Sequence, residues 1–193
     1  MSMSTNIKKL KSLCVSKKAV RLYTRHRGGD AYDGIVLAAF PELILLQVIN
    51  DFKLGGVIAL PTKSLKSIRL GPLEKTLDEV ILENGQIKKL NKTTWIRKVS
   101  NIGLILMECW RRKIWPIVEI QSGKSGAFYI GPITGIYKKE FGIFCYGAEG
   151  KWEKIYKLTY KEVFRVEVFD DYSKYFNRFM AKRMPKKFPG RPA

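Results

Sequence analysis

Histidine is nearly absent from this sequence, which narrows the chemistry available to it. His26 is the only histidine among 193 residues, so a hydrolytic triad or a histidine metal site would have to use it. It stands between Arg25 and Arg27 in an expected loop, which favours a surface role. A Cys–His pair with Cys145 is the alternative, although cysteine in a strand-like run is usually buried and structural. We therefore predict a protein that is not an enzyme and uses no cofactor or metal ion.

Cysteine and long apolar runs are also scarce. The three cysteines, Cys14, Cys109 and Cys145, are odd in number and lack a Cys-x-x-Cys spacing, which argues against a disulfide framework and a zinc site. A reduced, cytoplasmic environment is the simplest prediction. Residues 1–20 contain no apolar core of signal-peptide length. No run approaches the roughly 20 apolar residues of a membrane-spanning helix, so no transmembrane segment is expected.

Acidic residues are few relative to basic ones. The chain has 36 Lys and Arg against 17 Asp and Glu, a net charge of +19. Residues 1–97 carry +9 and residues 98–193 carry +10, so the excess is not confined to a tail. A field of this sign attracts polyanions: RNA or other nucleic acid, an anionic membrane or an acidic protein. A basic proteome or an adaptation for solubility is the alternative explanation.

Three segments interleave these basic residues with aromatic residues. They are Trp110 to Trp115 (WRRKIW), Lys151 to Lys157 (KWEKIYK) and Arg21 to Arg27 (RLYTRHR). In nucleic-acid-binding proteins, cations contact phosphates and aromatic faces stack on bases. Alternatively, Trp110 and Trp115 are core residues with solvated charges between them. The candidate nucleic-acid-binding residues are Arg21, Tyr23, Arg25, Arg27, Trp110, Arg111, Arg112, Lys113, Lys151, Trp152 and Lys154.

Short apolar runs separated by turn residues predict a mainly-β fold with minor α-helix. Apolar residues make up 46% of the chain, which is enough to form a core. In the first half, Pro41, Asn50 and Gly55-Gly56 mark breaks between runs that are apolar or alternating. The strands predicted there are Gly34–Leu37, Leu43–Val48, Val57–Leu60 and Leu65–Leu70, with a leading strand between Leu13 and Tyr23.

Helical spacing is confined to a few segments. Residues 1–12 form a flexible arm or a short helix. Leu73, Leu77, Val80, Ile81 and Ile87 lie on one face of a predicted helix that stops at Asn84-Gly85. Residues 88–101 are a linker or a return strand. A second helix is predicted to begin at the acidic pair Asp170-Asp171, with Tyr175, Phe176 and Phe179 on one face.

The second half resembles the first after an ungapped shift of 98 residues. The shift aligns Val20 with Val118, Leu60 with Leu158 and Leu77 with Tyr175. Apolar positions and element order repeat more than identities do, which predicts a duplicated unit. A chance alignment of two β-meanders is the alternative. The strands expected in the second half are Ile102–Met107, Ile114–Ile120, Phe128–Ile130, Ile133–Tyr137, Gly142–Tyr146, Ile155–Leu158 and Val163–Phe169.

One stretch of the first half resembles a known family. Tyr32-x-Gly34, the turn at Phe40-Pro41 and Leu43-Ile44-Leu45 resemble the first motif of Sm/LSm-like small barrels. The chain looks closest to bacterial tandem barrels of unassigned function. In RNA-binding Sm proteins, an Asp and an Asn of this motif contact the RNA base. In the register set by Gly34, Phe40 and Ile44 occupy these two positions. The second Sm motif, a strand bearing Arg-Gly or Lys-Gly, has no clear match near Leu60-Pro61. The ring-pore site of that family is therefore not expected.

The sequence thus predicts two tandem Sm/SH3-like small barrels, each followed by a helix. The first, with a basic N-terminal arm, occupies residues 1–97, the second occupies residues 98–182, and residues 183–193 form a basic disordered tail. We expect non-catalytic binding of RNA or single-stranded nucleic acid. The alternative is a protein–protein interaction or adaptor module that recognises an acidic partner. The oligomeric state stays open.

Overall fold

The chain divides into two compact units. The computed structural model describes residues 3–25, 30–90, 93–122 and 125–186. Unit 1 is Met1–Asn101 and unit 2 is Ile102–Ala193, whereas the predicted boundary lay after residue 97. Arg27, His26 and most of the predicted tail fall outside the described residues.

The described residues of unit 1 form two α-helices and five strands, with short 3₁₀ turns at Thr62–Ser64, Gln86–Lys89 and Ile96–Lys98. Most of the segment predicted as a linker or return strand therefore forms 3₁₀ turns and loops. The elements are α1 (Met3–Ser16), β1 (Ala19–Thr24), β2 (Ala31–Ala39), β3 (Leu43–Asn50), β4 (Lys53–Pro61), β5 (Leu65–Arg69) and α2 (Pro72–Glu83).

The strands of unit 1 form an antiparallel sheet in the order β5-β1-β2-β3-β4. The predicted N-terminal arm is a helix because α1 buries Leu10 and Leu13 in the core formed with this sheet. Gly34 of β2 pairs with Val48 of β3, and a Cβ atom at Gly34 would overlap the Gln47 carbonyl oxygen. The glycine of the Sm-like motif is therefore required by the close approach of two strands.

Helix α2 has defined ends. Pro72 occupies the first turn, where its missing N–H is not needed. The Glu74 carboxylate accepts the Gly71 N–H at 2.6 Å and the Arg69 Nη2 donor at 2.9 Å. Burial alone would raise the pKa of Glu74, but these hydrogen bonds and the charge of Arg69 lower it. The helix ends before Asn84 and the left-handed Gly85, with φ 64°, so the predicted stop is confirmed. Ile87, which was predicted on the helical face, lies instead in the 3₁₀ turn that follows.

Unit 2 repeats this order of elements. Its elements are α3 (Ile102–Arg112), β6 (Ile117–Ser122), β7 (Ser125–Ile130), β8 (Ile133–Ile136), β9 (Glu140–Tyr146), β10 (Trp152–Thr159), β11 (Val163–Val168) and α4 (Asp171–Ala181). The predicted strand Ile102–Met107 was wrong, because this segment belongs to α3. Ile102, Ile105, Leu106 and Cys109 are its buried residues, and their spacing of three and four is helical rather than alternating.

The strands of unit 2 pair in two groups, β11-β6-β7 and β10-β9-β8. The division falls at Gly131-Pro132, between β7 and β8. Gly131 has φ 151°, and a Cβ atom there would stand 2.0 Å from the Phe144 carbonyl oxygen. Pro132 offers no N–H to a ladder. One long strand of unit 1, β2, therefore corresponds to two short strands here.

Corresponding elements begin at nearly constant separation. β1 and β6 begin at Ala19 and Ile117, and β5 and β11 at Leu65 and Val163, 98 residues apart in both cases. Strands hold 42% of the described residues and helices 33%, which confirms the predicted mainly-β class. A helix follows the strands of each unit, also as predicted. The small barrels predicted for the two units are not found, because the sheets of the described residues are open. In unit 1, β4 and β5 pair with β3 and β1 rather than with each other.

Candidate functional site

The first basic–aromatic segment lies on β1 of unit 1. Arg21 forms a two-point ion pair with Asp33 on β2, which raises the pKa of the guanidinium. The ring centre of Tyr23 lies 5.9 Å from the Arg69 guanidinium carbon, within cation–π range. Arg25 is exposed. The Arg21 guanidinium is therefore paired within the protein, so Arg25 is more accessible to a ligand than Arg21 is.

The second segment forms the end of α3 and the turn after it. Arg111 and Arg112 both contact Glu108, at 3.1 Å and 2.7 Å, so two of its cations share one carboxylate. Trp110 is half-buried. Lys113 is exposed and left-handed with φ 56°, and the Ile114 N–H donates to the Cys109 carbonyl at 2.9 Å. This backbone turn ends the helix and separates Lys113 from the Glu108 ion pairs.

The third segment runs from a turn into β10. Lys151 contacts Glu149 at 3.1 Å between two exposed side chains, a weak pair. Lys154 Nζ lies 5.1 Å from the ring centre of Tyr156. Trp152 stacks on Phe144 with ring centres 4.6 Å apart. The Trp152 ring is therefore engaged in packing, so we do not include it among residues that stack on a ligand.

Trp152 belongs to an aromatic cluster in the core of unit 2. Its ring centre lies 5.7 Å from those of Trp115 and Tyr146, and Tyr146 lies 5.1 Å from Phe176 of α4. Burial raises the pKa of Tyr146, whose hydroxyl donates to Asn177 Oδ1 at 2.5 Å. Asn177 in turn donates to the Trp115 carbonyl at 3.2 Å. These contacts attach α4 to the cluster and to the segment before β6.

A basic groove lies beside this cluster, between the end of α3 and α4. Its volume is about 470 Å³. Among the described residues that line it, none is Asp or Glu, and three are cations. The lining residues are Lys113, Ile114, Trp115, Phe169, Ser173, Lys174, Asn177, Arg178 and Ala181. We call this feature the basic groove.

The helix α4 supplies most of the basic groove. Lys174 and Arg178 are four residues apart, so they project from the same helical face. Asp170 caps the helix by accepting the Ser173 N–H at 2.8 Å. The Ser173 hydroxyl is buried and has no hydrogen-bond partner. The groove thus presents three cationic side chains and one hydroxyl group without a hydrogen-bond partner, a combination that suits an anion.

The composition of the groove was only partly predictable. Lys113 is among the predicted site residues, and the structure places it there. Lys174 and Arg178 were missed, although their spacing on a predicted helix was a usable signal. Arg21, Arg25 and Tyr23 belong to unit 1, and Trp110, Arg111, Arg112, Lys151 and Lys154 are not among the residues that line the groove.

Other reactive groups of unit 2 are poorly suited to nucleophilic chemistry. Cys109 and Cys145 are buried, and burial raises the pKa of each thiol to about 12. The part of the chain that the structure describes contains no group of three or more His, Cys, Asp and Glu placed to hold a metal ion. On β11, Arg165 contacts Glu119 at 3.0 Å and Glu167 at 3.8 Å. Burial raises the pKa of Glu167, and Arg165 opposes that rise.

The residues of the Sm-like motif have structural roles. Ile44 is fully buried in the core of unit 1, and the Phe40 N–H donates to the Leu43 carbonyl at 2.7 Å in the turn between β2 and β3. Neither residue has the polar side chain that the corresponding position uses to bind RNA in the Sm family. Both residues therefore contribute to the fold of unit 1.

Together the fold and the groove define a mainly-β protein of two repeated units, the second of which carries a basic groove beside an aromatic cluster. No protein-family model, curated protein or solved structure matches the chain. The Sm/LSm-like resemblance thus stays a prediction. No helix within the described ranges has the length and apolar character needed to cross a membrane.

Proposed function

We propose that this protein binds RNA or single-stranded nucleic acid without catalysing a reaction on it. Cations of the basic groove contact backbone phosphates, and exposed Lys and Arg side chains elsewhere on both units add further contacts. Such binding is electrostatic and largely independent of sequence, because phosphate contacts carry no base information.

The observation that carries this proposal is the charge of the basic groove. Lys113, Lys174 and Arg178 line it, and no carboxylate is among its described lining residues. By contrast, several cations outside the groove already have carboxylate partners, including Arg21, Arg111 and Arg112. Three like charges line the groove and no described lining residue is acidic, so an anionic ligand would stabilise the arrangement. The net charge of +19 supports the same class of ligand.

Binding assays with labelled RNA and DNA strands across a salt series test the proposal. We expect binding at low salt to both, with the logarithm of the association constant falling linearly as the logarithm of the salt concentration rises. Absence of binding at low salt, or binding that salt leaves unchanged, would refute it.

An acidic protein partner is the second candidate, because the exposed aromatic residues Tyr172, Tyr175 and Phe179 are of the type enriched at protein interfaces. Purification of the protein from cells, with and without nuclease treatment, separates the two candidates. A protein partner that stays bound after complete nuclease digestion favours this second function, and loss of all bound material favours the first.

A further inference from the structure

Helix α4 has an aromatic face besides the one that lines the basic groove. Tyr172, Tyr175, Phe176 and Phe179 follow the spacing that places residues on one side of a helix. With Asp171 they line a shallow apolar depression of about 530 Å³. The rings of Phe176 and Phe179 are nearly parallel, with an interplanar angle of 9° and centres 5.8 Å apart. We call these four residues the aromatic row.

Much of the aromatic row is open to solvent. Tyr172 is 51% exposed, Tyr175 68% and Phe179 41%. Only Phe176 packs against the core of unit 2. Three neighbouring aromatic side chains with such exposure form a larger apolar patch than scattered surface residues do, which marks an interaction site.

The corresponding helix of unit 1 offers an internal comparison. In the structure α4 begins 99 residues after α2, so the buried Leu77 and Ile81 of α2 correspond to Phe176 and Met180, which face the core of unit 2. Tyr175 lies on the other side of α4 and is exposed. The packing of α4 onto the core of unit 2 therefore does not account for an aromatic residue at this position.

The charges beside the aromatic row indicate what covers it. The Arg183 guanidinium carbon lies 4.0 Å from the ring centre of Phe179, and Lys174 Nζ lies 5.5 Å from that of Tyr175. Lys174 also lines the basic groove. Pairing of this face with a second copy of itself would bring Lys174 and Arg183 towards like charges, which is unfavourable. A polyanion with flat apolar groups complements both the rings and the cations.

We propose that the aromatic row is a stacking site for unpaired bases and that the neighbouring cations hold the phosphates of the same strand. This inference rests on the proposed function and specifies its ligand, because bases that are paired in a duplex cannot reach the rings. Tyr175 contacts a base, while Lys174 and Arg178 contact phosphates. The site thus selects single strands over duplexes through α4 alone.

Fluorescence anisotropy of the full chain with a labelled single strand, and with the matched blunt duplex, tests the inference. Tyr175→Ala is the test variant and Tyr175→Trp restores an aromatic face. Tyr137→Ala is the matched control, since Tyr137 is exposed in the same unit but lies outside α4. Tyr175→Ala should weaken single-strand binding about 5- to 150-fold, the loss of one stacked base. It should leave duplex binding and the salt slope unchanged. Circular dichroism confirms that each variant is folded.

The outcomes separate this inference from the proposed function. Equal affinities of Tyr175→Ala and Tyr137→Ala would overturn the inference, while salt-dependent binding by the wild type would leave the proposed function standing. Failure of the wild type to bind any nucleic acid would overturn both. A dimer of the wild type that Tyr175→Ala converts to a monomer, with nucleic-acid affinity unaltered, would show that a second copy covers the row instead.

Discussion

Neutralising the basic groove should reduce the salt dependence of nucleic-acid binding by an amount that follows from the number of cations lining it. The variant is Lys113→Gln, Lys174→Gln and Arg178→Gln combined, which removes the three cations that line the groove. Counterion release contributes about 0.7 to the slope for each single-strand phosphate contact, so three contacts contribute about 2. Between about 50 and 200 mM salt, the wild-type affinity should fall about 18-fold more than that of the variant.

A control of equal charge distinguishes the groove from the general field of the protein. Lys8→Gln, Lys11→Gln and Lys18→Gln combined also remove three of the 19 net positive charges, from exposed positions in unit 1. Anisotropy titrations at four or more salt concentrations give the slope for each protein. We expect the control to reduce the slope less than the groove variant does, because the exposed lysines of unit 1 supply only part of the further contacts. Equal reductions of the slope in both triple variants would refute the assignment of the phosphate contacts to the groove.

Three further predictions concern the scaffold. Gly34→Ala should destabilise the protein by about 2 kcal/mol, because its Cβ would overlap the Gln47 carbonyl; an unchanged urea midpoint would contradict this. Glu74→Gln should cost about 2 kcal/mol in urea unfolding at pH 7, because the charged hydrogen bonds to Arg69 and Gly71 are lost. Since the pKa of Glu74 is lowered in the folded state, this difference should vanish as the pH falls through that pKa; a difference independent of pH would be inconsistent with it. Glu167→Gln should raise the thermal midpoint at pH 8 more than at pH 4, because burial raises the pKa of Glu167 and its charged form opposes folding above that pKa; a lower midpoint at pH 8 would contradict this.

Strands and the helices that follow them were predictable because their signals are local. In β11 the residues Phe164, Val166 and Val168 are buried, and Arg165 and Glu167 between them are more exposed, as alternation predicts. The helix α2 carries Gly85 at its end, and Asp170 caps α4. Each of these features depends on a few neighbouring residues, so a single sequence suffices.

The first part of helix α3 was predicted as a strand because its first residues are almost all apolar. A short continuous apolar run does not distinguish a strand from a buried helix. The spacing of Ile105, Leu106 and Cys109 resolves the choice only when the segment is read through to Arg112.

The basic groove and the state of each cation depend on contacts distant in sequence. Lys113 and Lys174 line the same groove, yet 61 residues separate them in the chain. The Arg21–Asp33 ion pair depends on the register of β1 and β2, and the packing of Trp152 depends on Phe144 across two strands. Residue types in the sequence do not determine which cations are already neutralised.

The two hydrogen bonds of Asn177 have a consequence for the thermodynamics of binding. Its amide oxygen accepts a hydrogen bond from the Tyr146 hydroxyl, and its amide nitrogen donates one to the Trp115 carbonyl. The helix α4 therefore cannot rotate about its axis without breaking one of these hydrogen bonds. Folding thereby sets the direction of both faces of the helix in advance. A ligand that contacts Lys174 and Tyr175 meets a surface whose backbone is already ordered, and the entropy lost on binding is confined to side chains and to the ligand itself.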